Sequence, residues 1–376
     1  MFKKVTTISL IFIPIFLFSG IFAQLFLTDS SAVSGEAGVI DPVVLPITVE
    51  EEEEGKVMIT ISAIGDCALG VEYAQQGHTL SSVLAENNGN SSYFFANVKG
   101  VLAEDDLTIA NLETCLTKAI QRKNKSYEKV AYWLKGEPHY TEILTQGSVE
   151  VVNIANNHIL DYGEEGYTET LASLEKAGID YCGFDQVLIK EIKGIKLGFL
   201  GFSQFGNKGL WQSFTSLKEQ VATAIQDLQE QTDLIVVSFH WGNEREIKPS
   251  AKQYELAKLA IDSGADLVLG HHPHVLQGIK EYQGKPVVFS LGNFCFGANR
   301  YPYDRDTMIY QQTFTFNTGE LVSTSSKVIP CSMTTKPGLN DFQPKLLEGT
   351  EAERVLEKLK KRSEMIIFEV EMNKTQ

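Results

Sequence analysis

The chain has 376 residues, with 33 Lys and Arg against 48 Asp and Glu, a formal net charge of −15 and a hydrophobic share of 43%. That apolar share supports a packed core and excludes disorder throughout, and the length suits one large domain with an accessory piece. The acidic balance excludes a general nucleic-acid binder, which needs a basic face to neutralise phosphates, so no nucleic-acid partner is expected.

At the N-terminus, Lys3 and Lys4 precede an uncharged run over residues 5–27. Such a run is long enough to cross a hydrocarbon layer of roughly 30 Å as one helix. The next basic residue is Lys56, so the tip is expected to stay in the cytoplasm and the rest to be exported. Ile21-Phe22-Ala23 is a poor small-x-small cleavage site. Residues 1–27 therefore read as a retained single-pass anchor in the cell membrane rather than a cleaved signal. Residues 28–56 read as an acidic linker that passes Pro42 and Pro46 and ends in the run Glu50 to Glu54.

From residue 57 short apolar runs alternate with helical patterns. The strand candidates cover 57–64, 107–110, 149–154, 195–202, 234–239, 267–269 and 287–290. Between them, Leu171, Leu174 and Ala177 share one helical face, as do Val221, Ile225 and Leu228, and then Tyr254, Ala257 and Ile261. Apolar strands alternating with helices of this length indicate an α/β layered domain, covered on both faces, over residues 57–300. Residues 301–376 read as a C-terminal accessory segment with further β segments, a charged helix near 351–362 and a last strand candidate at 365–372. The five cysteines leave at least one thiol free, and none has metal-knuckle spacing. Cys67, Cys115 and Cys295 read as small buried hydrophobes.

Five strand candidates end in polar clusters. They are Gly65-Asp66; Asn111-Leu112-Glu113; Asn156-Asn157-His158 with Asp161; His240-Trp241-Gly242 with Glu244; and Gly270-His271-His272-Pro273-His274. Loops at the carboxyl ends of strands in an open α/β sheet converge on one crevice. The mixture of imidazole nitrogens with carboxylate and amide oxygens favours a divalent Mn, Fe or Zn over purely oxygen-bound Ca or Mg. One bridging carboxylate can hold two cations ~3.5–4 Å apart, so one or two ions are expected. Each motif alone is weak; His272-Pro273-His274 is the strongest, since two imidazoles two residues apart after an apolar strand have few structural uses.

The ordered set resembles the calcineurin-like metallophosphoesterases, and more closely the CapA/PgsA family of bacterial capsule proteins. The residues that carry the likeness are Gly65-Asp66, Asn111-Leu112-Glu113, Ala155-Asn156-Asn157-His158 with Asp161-Tyr162-Gly163, His240-Trp241-Gly242, His271 through Gln277, and Ser290-Leu291-Gly292-Asn293-Phe294. The resemblance implies a metallophosphoesterase-like β-sandwich flanked by helices, behind an N-terminal transmembrane helix. It implies metal-facing roles for Asp66, Glu113, Asn157, His240, His272 and His274, with Glu113 in the bridging place. His158 is implied as the acid that protonates a leaving group, and His271 is the least certain of the clustered histidines. One departure stands out: Ala68 occupies the place where the wider superfamily has a ligand His, which leaves open a single-metal site or a different substrate geometry.

The resemblance implies an anchored protein of poly-γ-glutamate production or export, working beside membrane synthase components. A free-standing metal-dependent hydrolase of phosphoesters or amides, and a non-catalytic polymer-binding module, remain the alternatives. For an acidic protein that meets a polyanion, the basic stretch Lys118 to Lys135 is the candidate contact, with Arg122, Lys123 and Lys125 at its centre and Tyr127, Tyr132 and Trp133 interleaved.

Overall fold

A computed structural model of the chain describes residues 55–126, 130–206 and 212–368. The expected anchor at 5–27, nearly all of the linker and Tyr127 lie outside the described residues. Among the described residues no helix is long and apolar enough to cross a membrane.

Two sheets lie face to face. In the first, the parallel strands Lys56–Ala68, Leu107–Leu112, Val151–Asn153 and Asp180–Cys182 follow one another. The long antiparallel hairpin of Asp306–Asn317 and Glu320–Ser332 extends that sheet beyond Lys56–Ala68. In the second, Ile195–Ser203, Leu234–His240, Leu267–His271 and Lys285–Val288 run parallel. Strand periodicity sets which residues meet between the sheets, because successive side chains point to opposite faces. Ile59, Ile61 and Ile109 from one sheet meet Leu197, Phe199, Val236 and Leu269 from the other in one buried cluster.

The alternate residues face outward into helical layers and are apolar too. On one side, Ile235, Val237 and Phe239 pack on Val221, Ile225, Ala257 and Ile261 of the helices Phe214–Gln229 and Ala251–Asp262. On the opposite side, Ala110, Leu112 and Val152 pack on Tyr167 and Leu174 of the helix Gly163–Ala177. The result is a mixed α/β fold with helices outside a sheet pair, within one compact unit that holds the described residues. Ser250 caps Ala251–Asp262 through a reciprocal pair of hydrogen bonds with Gln253, which satisfies donors that a helix start leaves open.

The first strand runs further than the apolar pattern indicates, through Asp66 to Ala68, because Asn293–Phe296 pairs with that extension. Gly65 makes this approach workable: a Cβ there would lie 2.0 Å from the Gly292 carbonyl oxygen. At the C-terminus the charged helix is Gly349–Glu364, docked by Val355 and Leu359 into the core between the sheets. The strand expected at 365–372 does not form over its described part, 365–368. There the Ile366 N–H turns back to the Ser363 carbonyl, and Ile366 and Phe368 are buried beside the second sheet. All five cysteines are free and buried; burial pushes the Cys67 thiol up to about 12, consistent with an unreactive core position.

Candidate metal centre

The carboxyl ends of the parallel strands bring distant residues to one place. Asp66 lies within Lys56–Ala68, beside Asn111 of Leu107–Leu112. Glu113 follows that second strand, its N–H donating to the Cys67 carbonyl at 2.9 Å. His240 and His271 end two neighbouring strands and sit opposite one another in register. His272 and His274 then occupy the left-handed region, with φ of 93° and 56°. Such backbone is uncommon outside glycine and recurs where a site holds it in place.

Two groups of potential ligand atoms result, each with its atoms within 4.8 Å of one another: Glu113 with His240 and His272, and Asp66 with Glu113 and His274. Glu113 belongs to both. Asn157 Oδ1 lies 2.7 Å from His240 Nε2, which places it at the first group. His271 joins neither. Its Nδ1 lies 3.3 Å from Asp66 Oδ1, yet neither ring nitrogen forms a hydrogen bond.

The residues present fit a cation. Both Glu113 oxygens are buried and lack any hydrogen-bond donor, as does His272 Nδ1. Glu113 Oε1 lies 3.4 Å from His240 Nε2 and 3.8 Å from His274 Nε2 without a hydrogen bond to either. A buried carboxylate without hydrogen bonds is costly, and a divalent ion would supply further positive charge to it. Burial holds Glu113 well above the usual carboxylate range, with the charge on Asp66 adding to the effect against the pull of His274. Burial would raise Asp66 too, yet the imidazoles of His271 and His274 hold it well below the usual range. Burial keeps His240 well below its ordinary value, helped by His272, and lowers His272 to about 3, helped by His274. Both therefore stay neutral, the form that ligates metal. His274 behaves oppositely: despite burial, Glu113 and Asp66 raise it to about 10.

Amides that the sequence reading quoted within motifs, but gave no role, hold these groups. Asn111 Nδ2 donates to Asp66 Oδ1 at 2.9 Å and lies 3.2 Å from His240 Nδ1. Its own oxygen accepts from Asn153 at 2.9 Å. Asn293 Oδ1 lies 2.8 Å from His274 Nδ1. Groups behind metal ligands commonly fix their orientation in this way.

His158 stands at the edge of the cluster. Its Nδ1 lies 2.7 Å from Asp161 Oδ2, leaving Nε2 for a cleft of about 230 Å³ that His158 lines together with His274, Glu244, Arg245, Tyr301 and Tyr303. A larger groove of about 770 Å³ along the helices Phe214–Gln229 and Ala251–Asp262 holds none of the clustered residues, so the smaller cleft is the one beside the chemistry.

Within the basic stretch, Lys125 differs from expectation. Lys125 is only 5% exposed, its ammonium held by Asp161 Oδ1 at 2.6 Å and by the Tyr132 carbonyl at 2.7 Å. It steadies the partner of His158 rather than facing solvent. Arg122 lies over two rings, 3.5 Å from the Tyr73 centroid and 4.7 Å from that of Trp133. Lys123 is partly buried, its N–H donating to the Asp161 carbonyl at 2.8 Å and its own carbonyl accepting from Trp133 at 2.8 Å.

Comparison with known proteins follows this layout. The profile of the bacterial capsule synthesis protein PGA_cap family matches residues 60–298. The capsule biosynthesis protein CapA of Bacillus anthracis is 29% identical over 272 residues, covering 67% of this chain and 62% of that protein. The PGA biosynthesis protein CapA of Bacillus subtilis is also 29% identical over 272 residues, covering 68% and 67%. The match thus spans just under two thirds of the first relative and about two thirds of the second. Among solved structures, a hypothetical protein from Thermus thermophilus aligns over 72% of this chain and 99% of its own, at 16% identity and a TM-score of 0.42.

Proposed function

The chain belongs to the PGA_cap family of bacterial capsule synthesis proteins, and from that premise we propose that it handles poly-γ-glutamate during capsule production, through a two-position metal centre built on Glu113. The observation that carries this reading is the pair of ligand groups sharing one buried carboxylate with no donor on either oxygen. The two Bacillus relatives are named for capsule and PGA biosynthesis, which supports the choice of polymer. The metallophosphoesterase-like order of Asp66, Glu113, Asn157, His240, His272 and His274 supports a hydrolytic site. In this account residues 5–27 anchor the domain outside the cytoplasm, next to the membrane synthase components.

Bound Mn, Fe or Zn would supply Lewis acidity to such a site. The chain's own groups supply the rest. His240 and His272, neutral from burial, and Asn157 would hold one ion with Glu113; Asp66 and His274 would hold the other. His158, its Nδ1 fixed by Asp161, presents Nε2 to the cleft. Water adds its hydroxide to the carbonyl carbon, the γ-amide C–N bond breaks, and His158 gives its proton to the amine nitrogen. The proton shed by the water passes to solvent, from which His158 is reprotonated. A positioned acid of this kind contributes typically ~10²–10⁴-fold in rate.

The test is to incubate the purified full-length protein, with each metal and with chelator, with poly-γ-glutamate and separately with a generic phosphoester. Shortening of the polymer that stops with chelator is the expected result. Turnover of the phosphoester with the polymer left intact would instead identify a free-standing phosphoesterase. Polymer binding without any cleavage would identify a binding module.

A further inference from the structure

Within the basic stretch the Lys125 ammonium is committed to Asp161 and that of Lys135 to the Ala119 carbonyl. None of Arg122, Lys123 and Lys125 lines the cleft beside His158, so the charge that holds a polyanion in that cleft lies elsewhere. Among the described residues, Arg245 is the only Lys or Arg lining the cleft beside His158 and His274, and no described carboxylate lies within ion-pair distance of it. Its surroundings make the rim otherwise acidic. Glu72 and Glu244 line the same cleft, while Asp304, also there, is engaged by Lys358 at 3.2 Å.

The loop that carries Arg245 is built to hold it. Its backbone lies in the left-handed region at φ 63°, uncommon for a long side chain. Its N–H donates at 2.8 Å to the carbonyl of Pro273, between His272 and His274. The next carbonyl, that of Glu246, accepts from Gln277 at 2.8 Å, and Gln277 is joined to Gln253 at 2.8 Å, both amides fully buried. Gly242 opens the loop at φ 80°, where a Cβ would come within 2.5 Å of Gln253 Oε1. The guanidinium carbon stands 5.9 Å from the Tyr303 ring centroid, within the range of a cation–π contact. The backbone that carries the cation is therefore tied, through Pro273, to the neighbouring loop that carries two metal-facing imidazoles.

We propose that Arg245 recognises a free carboxylate of the substrate chain, which makes the cleft specific for a carboxylate-bearing polymer such as γ-linked glutamate. This rests on the polymer reading above. Each γ-linked glutamyl unit keeps one α-carboxylate, a planar group that the guanidinium fork matches with two parallel hydrogen bonds. Tyr301 and Tyr303, both exposed at the mouth, offer flat apolar faces to the methylenes of the chain. With Glu72 and Glu244 repelling carboxylates elsewhere on the rim, Arg245 sets which unit stops beside His158.

The experiment measures binding of a short fluorescent γ-linked glutamate oligomer to the full-length protein at low salt, comparing the parent with Arg245→Gln and Arg245→Lys. A second oligomer carries carboxamides in place of every α-carboxylate. Arg245→Gln should weaken binding of the acidic oligomer by roughly tenfold or more, as loss of a charge-assisted pair does, and Arg245→Lys should recover only part of it. The carboxamide oligomer should bind the parent and Arg245→Gln with equal, weaker affinity. Parent-like binding by Arg245→Gln overturns the role of Arg245 and leaves the polymer reading standing; no binding by the parent overturns both. Metal content, read by elemental analysis on the same samples, should stay at the parent level. Loss of metal along with binding would make Arg245 a structural clamp and refute recognition.

Discussion

Replacing Glu113 by Gln separates the metal account from a purely structural one, because the two predict opposite signs. Glu113 is fully buried, and neither oxygen accepts a hydrogen bond. Burial raises its pKa well above the usual range. For an acid raised in this way, folding opposes the charge: stability is lost as pH climbs from the unfolded carboxyl value toward the folded one, at ~1.4 kcal/mol for each pH unit traversed. At neutral pH without metal, Glu113→Gln removes the ionisable group and should therefore stabilise the protein, by ~1–3 kcal/mol, the cost of one to two of those pH units. At roughly 2 °C per kcal/mol for a unit of this size, Tm rises by about 2–6 °C in chelator. With metal the order reverses. The parent gains ~2.7 kcal/mol at a free concentration of ~100 times Kd, and the variant gains little because both ligand groups lose their shared carboxylate. Thermal melts followed by circular dichroism, with chelator and with Mn or Zn, read both effects. A variant less stable than the parent in chelator, and equally stabilised by metal, would refute the reasoning.

Other substitutions and conditions extend the test. His240→Ala should lower bound metal more than His271→Ala, since His240 belongs to a ligand group and His271 to neither; equal losses by elemental analysis would contradict that division. Metal affinity should rise with pH and loading should release protons into weakly buffered solution, because Glu113 and Asp66 hold the metal-free His274 protonated up to about 10 and a ligating imidazole must be neutral. Affinity that stays flat on going from mildly acid to mildly alkaline titrations would count against it. Lys125→Ala should destabilise by ~3 kcal/mol, the scale for breaking a buried ion pair from one side, since it strips Asp161 of a cation at 2.6 Å; a chemical denaturation midpoint unchanged from the parent would show that Lys125 is dispensable.

The site was more legible in the sequence than its surroundings were. Strand ends are marked locally, by an apolar run stopping at Asp, Asn or His, so the five polar clusters could be picked out without knowing which strands pair. The choice of Asp66, Glu113, Asn157, His240, His272 and His274 within them came from the family resemblance. What the chain hides is pairing over long separations. Lys56–Ala68 outruns its apolar pattern because its last residues pair with Asn293–Phe296, and nothing near Gly65 announces that partner. Lys125 read as a polymer-facing cation because charge counted along the chain ignores Asp161, which folding brings to it. Asn111 and Asn293 were visible as motif residues, yet their work as hydrogen-bond partners of Asp66 and His274 depends on where two sheets meet. Arg245 carried no local signal beyond its closeness to His240-Trp241-Gly242; its backbone angle and its bond to Pro273 are products of the fold.

The central claim is that Glu113 bridges two cation positions, and metal stoichiometry tests it most directly. The full-length protein, purified without chelator and then titrated with Mn, Fe and Zn, should reach two divalent ions per chain by elemental analysis, and Glu113→Gln should fall well short of that. A parent that takes up none of the three metals, or a Glu113→Gln variant that binds as much as the parent, would contradict the account.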